Sequence, residues 1–211
     1  YRSLKYRHLY DLIADKAVFD RLVSAGWFPF AEIVGGEFRQ LGSACEAGFD
    51  LADEEATLVA KFTRERLDRL LARWLAKPHL KPREALLRSA IAGFERGDPV
   101  AVIKIVVAEI EGILADAPRA AHGRGAKTKT LLEFAQRTAE QRAGGPDTLL
   151  FPAAFAAYLS NYTFANFDPS GPKGSAGPRH AVGHGAADPD TYTMARALQA
   201  LLTLDQLAFS M

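Results

Sequence analysis

The sequence predicts an all-α fold: a helical bundle with an N-terminal helical region over residues 1–80 and a C-terminal helical domain over residues 81–211. Three observations lead there. Apolar residues recur at three- and four-residue spacing through most of the chain. Prolines, glycines and capping acids break that pattern at helix-length intervals. The most apolar segment, Val100 to Ala115, is rich in β-branched residues but too long for an ordinary strand, so it reads as a central helix.

Taken in order, Leu9, Leu12, Ile13, Phe19, Leu22 and Val23 predict one helix over Tyr6 to Val23, stopped by Gly26. Trp27-Phe28-Pro29-Phe30 reads as an aromatic turn that pads the core, and Glu37 to Phe49 as a weaker helix interrupted by glycines. Asp53 to Lys77 is the clearest helix. Asp53 and two glutamates open it at the positive end of its dipole. Leu58, Phe62, Leu67, Leu70, Leu71, Trp74 and Leu75 form its stripe; Arg64, Arg66, Asp68, Arg69 and Arg73 fill the rest, a side that could touch RNA but reads better as a solvated face; and Pro78 ends it.

Pro82 suits the first turn of a helix over Arg83 to Arg96, closed by Gly97. Asp98 and Pro99 then cap and open Val100 to Ala115, which is apolar nearly all round and is the expected buried centre. Pro118 to Ala126 reads as a loop rich in glycine and basic residues, Lys127 to Arg142 as an amphipathic helix, Thr148 to Tyr158 as a short apolar one, and Asn161 to Gly177 as a long loop. Asp188-Pro189 caps a last helix, Asp190 to Phe209, whose stripe is interrupted by Asp205.

A chain of 211 residues can bury one real core or two small ones. Its formal charge of +1 supplies no global attraction to nucleic acid or membrane, so any such partner must use a local patch. The single cysteine, Cys45, excludes an intrachain disulfide and a multi-thiolate zinc site, fits a cytoplasmic protein, and reads as a small core residue. No apolar run approaches the roughly 20 residues that span a bilayer, so no membrane partner is expected. The chain opens on Tyr1 rather than methionine, which predicts a fragment or a processed chain.

The chemistry concentrates in Arg179-His180-Ala181-Val182-Gly183-His184-Gly185. Arginine is a permanent cation suited to phosphate oxygens, and histidine trades protons near neutral pH. Pro178 fits the first position of a short helix and Gly185 its end. On an ideal helix His180 and His184 share a face, whereas Arg179 and His184 diverge by roughly 140°. Their tips converge only through the long arginine side chain or through a second copy of the protein. Two readings stay open. In one, Arg179 holds a phosphate and His184 acts as acid or base. In the other, Arg179 pairs with a carboxylate while the histidines cap or pack.

Glu109 and Glu111 interrupt the most apolar helix, and an unpaired buried carboxylate is costly, so each needs a partner. A salt bridge from Glu111 to Arg179 or His180 is the simplest arrangement, a substrate-binding, catalytic or metal role for Glu111 the sharper one, and Gly112 beside it would admit another helix closely. A zinc site on His180 and His184, with Glu109, Glu111 or Asp188 as third ligand, has the helical spacing but lacks a glutamate between the histidines; no metal and no cofactor are expected. His122 to Thr128 has the look of a phosphate loop but has alanines at positions 121 and 126, where glycines are required, and follows a helix rather than a strand. Arg124 and Lys127 in it remain candidates for contact with an RNA backbone.

At the Arg179 cluster the chain resembles the HEPN superfamily (higher eukaryotes and prokaryotes nucleotide-binding). These all-helical domains carry an arginine, usually with a polar residue directly after it, and a histidine that follows after four to six intervening residues; Arg179, His180 and His184 match that pattern here. It looks most like a bacterial branch that reads Arg-His-x-x-x-His-Gly near the C-terminus and carries an acidic-Gly step on an upstream helix, which Glu111-Gly112-Ile113-Leu114 matches. The likeness covers Arg83 to Leu207. It implies a HEPN-like C-terminal domain with extra N-terminal helices, and a metal-independent endoribonuclease of a bacterial defence or toxin system acting on single-stranded RNA. It implies a homodimer with a composite site, and leaves room for an antitoxin or other partner protein. Arg179 would stabilise phosphorane charge, His184 would move the proton, and His180 would orient the pair. Some members of the superfamily are non-catalytic modules that bind nucleotide, RNA or protein in the same groove.

Overall fold

The computed structural model describes residues 7–122, 128–143, 152–165 and 179–210. They form α-helices with short 3-10 and π turns, and no strand occurs among the interpretable residues, so the fold is all-α as the periodicity predicts.

The first predicted helix is two, α1 (Arg7–Ala14) and α2 (Lys16–Ser24). Asp15 divides them because its carboxylate accepts the backbone N–H groups of Ala17 and Val18, both at 3.1 Å, and so caps a new helix. The turn after α2 buries Trp27, Phe28 and Phe30 completely, and the rings of Phe30, Phe155 and Tyr158 lie 5.3–5.6 Å from Phe28. α3 is Gly36–Glu46. The long helix expected over Asp53 to Lys77 is also two, α4 (Ala52–Ala60) and α5 (Arg64–Leu75). Thr63 is extended there, at φ −64° and ψ 163°. The break lets Phe62 turn into the core, with the guanidinium of Arg66 4.0 Å above its ring.

A 3-10 turn at Lys81–Arg83 leads into α6 (Glu84–Glu95). Gly97, at φ +70°, reverses the chain, and Asp98 caps α7 (Pro99–His122) by accepting the N–H of Ala101. α7 runs on through Pro118 to His122, where a loop was expected. It buries Val102, Ile103, Val106, Val107, Ile110, Ile113 and Leu114, but it is not buried all round: Val100, Lys104 and Ala108 lie exposed along one side. α8 is Thr128–Ala143 and α9 is Pro152–Tyr158, extended by a π turn at Leu159–Thr163 that takes up the start of the loop expected over Asn161 to Gly177; residues 166–177 of that loop lie outside the described residues. α10 is Arg179–Gly183. The final helix, α11 (Met194–Ser210), starts later than expected, because Asp188 and Pro189 open a separate 3-10 turn, Pro189–Thr191.

α7 and α11 form the axis of the bundle and share its most extensive packing. α6 covers α7, and α11 also meets α4, α5, α6 and α8. One continuous apolar cluster runs from Leu12 to Ala208. Each large aliphatic or aromatic side chain it removes from water contributes about 1.5–3 kcal/mol. α11 reaches into this core with polar groups as well: Gln199, Thr203, Asp205 and Gln206 are all buried. Gln206 accepts the N–H of Ala31, and Gln199 donates to the carbonyl of Ala25.

Candidate functional site

α10 is short because its end is chemically specified. Gly185 adopts φ +67°, its N–H reaches the carbonyl of Val182, and the N–H of Ala186 reaches that of Ala181. This double closure is the Schellman arrangement that glycine favours at a helix end. Ala181 and Val182 are buried and hold α10 against α7. Arg179 and His180 are therefore half-buried, while Gly183, His184 and Gly185 are exposed.

The partner foreseen for Glu111 is present. Arg179 and Glu111, 68 residues apart, form an ion pair across the α7–α10 contact. Arg179 donates Nε to Glu111 Oε2 at 2.7 Å, and its Nη2 contacts the same oxygen. The side chains retain 28% and 35% exposure, so this pair is half-open rather than buried. The third guanidinium nitrogen, Nη1, lies 3.4 Å from His180 Nδ1. Arginine only donates, so the tautomer consistent with this contact carries its proton on Nε2. The guanidinium folds back beside Gly183, where a Cβ would stand in ordinary contact at 3.9 Å from Nη1, so its position does not depend on that glycine. The rings of His180 and His184 are nearly parallel, 10° apart, with centroids at 6.3 Å, as spacing of four on one helical face requires.

The neighbouring acid behaves differently. Glu109 turns away from α10 and pairs with Arg83, which also donates to Asp116 at 2.6 Å. Gly112 serves this pair. A Cβ at that position would stand 2.8 Å from Arg83 Nη1, so what approaches Gly112 closely is a guanidinium, not the neighbouring helix that was expected. Burial opposes the charge on Arg83, but the hydrogen bonds it donates to Asp116 and Glu109 overcome it and hold the guanidinium above its ordinary range. Arg83 was not singled out from sequence. The signal was there: Glu109, Gly112 and Asp116 fall on one helical face.

Among the described residues no group of three His, Cys, Asp or Glu side chains is placed to hold a metal ion. Glu109 is engaged by Arg83 and Glu111 by Arg179, so neither completes a site on the two histidines. Arg124 and Lys127 lie outside the described residues, as does Pro178. Elsewhere, a groove of about 730 Å³ runs between α8 and α9, lined by residues that include Glu133, Gln136, Ser160, Asn161 and Phe164 but none of the motif. No helix among the described residues is long and apolar enough to cross a membrane.

A second polar cluster corrects the reading of Arg66 and Arg73 as part of a solvated side, since both reach inward to acids on other segments. Arg73 on α5 shares its Nη2 between Glu32 (2.7 Å) and Asp205 on α11 (2.9 Å), and Trp74 donates its indole N–H to the other oxygen of Asp205 at 2.8 Å. Arg66 completes the cluster, donating to the side chain and the carbonyl of Glu32 and to Glu37. Burial raises the carboxyl of Asp205 above its ordinary range despite Arg73 and Trp74. Burial pushes Glu32 the same way, but hydrogen bonds from Arg73 and Arg66 outweigh it and hold Glu32 below. With both oxygens of Glu32 and of Asp205 occupied by protein donors, this cluster is a fastener.

No family model matches the chain, and no curated protein or solved structure matches it significantly.

Proposed function

We propose that the protein is a metal-independent endoribonuclease of the HEPN type, a cytoplasmic toxin or defence enzyme that cuts single-stranded RNA as a homodimer. One observation carries this reading: a guanidinium and two imidazoles sit together at a half-open helix end, with Arg179 Nη1 3.4 Å from His180 Nδ1 and the His180 ring parallel to that of His184. Phosphodiester transfer needs a fixed cation for the charge that develops on phosphorus and a group that moves a proton near neutral pH.

In this mechanism the 2′-oxygen attacks the adjacent phosphorus and loses its proton to a histidine. The bond to the 5′-oxygen breaks, and that oxygen takes a proton back. The products are a 2′,3′-cyclic phosphate and a 5′-hydroxyl. His184, the exposed member, is assigned the proton transfer, Arg179 the phosphorane charge, and His180 the orientation of both. A second subunit supplies the partner set of groups, which answers the divergence between Arg179 and His184 along one helix. Arg124 and Lys127 are assigned to the RNA backbone. The cognate partner protein, if the system has one, would act on the same face.

The test is cleavage of a labelled mixed RNA pool in EDTA by the protein and by His184→Ala. Cleavage by the parent with cyclic phosphate ends, and a loss of about a hundredfold or more in the variant, is the expected result. Equal loss of activity and of fold in His184→Ala, or no cleavage by the parent, counts against it. A second reading, a non-catalytic module that binds nucleotide, RNA or protein, draws on the Glu111 carboxylate that already neutralises Arg179. It expects Arg179→Ala to weaken binding with no turnover to lose.

A further inference from the structure

We propose that Glu111 is a built-in competitor for the anion that Arg179 receives, so that the site rests charge-neutral and opens only to a phosphate able to displace the carboxylate. This rests on the reading of Arg179 as a phosphate ligand and adds its regulation. An arginine offers two edges to an oxyanion, the Nε–Nη2 side and the Nη1–Nη2 end, and the side edge presents two parallel N–H groups. Glu111 Oε2 takes both nitrogens of the side edge. His180 Nδ1 faces Nη1 at the end edge. The carboxylate thus occupies the position that a phosphate oxygen would take, with the same charge sign and the same donors.

The resting arrangement is reversible by construction. Glu111 and Arg179 keep about a third of their side-chain surface, so water can solvate the carboxylate when it is displaced. Glu111 sits on α7, anchored by the apolar residues around it, while Arg179 reaches it from the first position of a five-residue helix. Exchange therefore needs only side-chain rotation. The adjacent Glu109 cannot do this, because Arg83 and Gly112 fix it on another face of α7.

The experiment measures inorganic phosphate binding by following the Arg179 Nε–H resonance in the full chain, comparing the parent with Glu111→Gln and with Glu109→Gln. Glutamine keeps the size and an acceptor oxygen but removes the charge. Loss of a competing charge at a half-exposed site predicts affinity about tenfold higher in Glu111→Gln. Glu109→Gln should bind like the parent. Unchanged or weaker binding in Glu111→Gln would mean that the carboxylate orients Arg179 instead, and would overturn the proposal. If Glu111→Gln proves unstable, sulfate titration of Glu111→Asp decides instead, since a shortened carboxylate that competes less must also raise affinity. A labelled single-stranded RNA separates the two levels. Tighter phosphate binding without RNA cleavage upholds the competitor and refutes the nuclease. Cleavage by the parent without tighter phosphate binding does the reverse.

Discussion

Two arginine–carboxylate clusters flank the axis of this bundle, and they are built to opposite specifications. At the α5–α11 junction, Arg73 and Arg66 meet Glu32, Glu37 and Asp205, and Trp74 takes the last oxygen of Asp205. At the α7–α10 contact, Arg179 meets one oxygen of Glu111 and one imidazole nitrogen. Asp205 keeps 9% side-chain exposure, Glu111 35%. The same pair of functional groups is a fastener where both oxygens of a buried acid are held by protein donors, and a receptor where a half-exposed acid meets the arginine through a single oxygen. Burial and saturation, not residue type, separate the two.

That contrast breaks most visibly at Asp205. Asp205→Ala leaves the buried Trp74 indole N–H without its acceptor and Arg73 with one carboxylate fewer, and should cost about 3 kcal/mol in urea unfolding. A cost near zero would mean that the cluster is no fastener. The acid range sharpens the same point. Glu32 titrates below its ordinary value, so the unfolded chain binds its proton more readily; the stability it contributes is present above the ordinary carboxylate range and lost as pH falls through its folded value. Asp205 titrates above its ordinary value, so its ionisation costs stability near neutrality, and that cost disappears as pH falls. Between about pH 7 and about pH 4, the stability gap between the parent and Glu32→Gln should narrow, while the gap between the parent and Asp205→Asn should widen against the variant. Gaps that move together would refute the assignment. The smallest effect belongs to the open cluster: Arg179→Ala should lower stability by less than about 1 kcal/mol, since half-exposed ion pairs contribute little. A loss of about 3 kcal/mol or more there would make Arg179 a structural residue.

The sequence was most legible where one residue type has one physical use. Gly97 with Asp98, and Gly185, mark turns that only a positive φ or a cap explains, and each stands where expected. The pairing of Glu111 followed from the cost of an unpartnered carboxylate on an apolar helix. Breaks inside amphipathic runs were not legible. Asp15 and Thr63 divide helices without disturbing the apolar period, because the segments on either side keep three- and four-residue spacing. Pro118 misled in the other direction, since α7 continues through it. The polar side of α11 was misleading too. Gln199, Thr203 and Gln206 have the spacing of a solvated face, and only the three-dimensional arrangement puts Ala25 and Ala31 opposite them. Arg83 was hidden for the same reason: its partners lie 26 and 33 residues away on another helix.

The reach of α11 back to the first turn of the chain has a consequence for the order in which the protein assembles. Gln206 meets Ala31 across 175 positions, and Gln199 meets Ala25 across 174. Gly26, at φ +89°, lies so close to Gln199 and Tyr162 that a methyl group there would overlap both. None of these contacts can form until α11 exists, so the two backbone ends of the aromatic turn, at Ala25 and Ala31, stay unfastened until then. Long-range closure of this kind slows folding, because the entropy of a large loop is lost before the contact rewards it. During synthesis the rings of Phe28 and Phe30 are apolar surface a chaperone would find until Phe155 and Tyr158 arrive to cover them, and α11 then locks the ends of the turn in place.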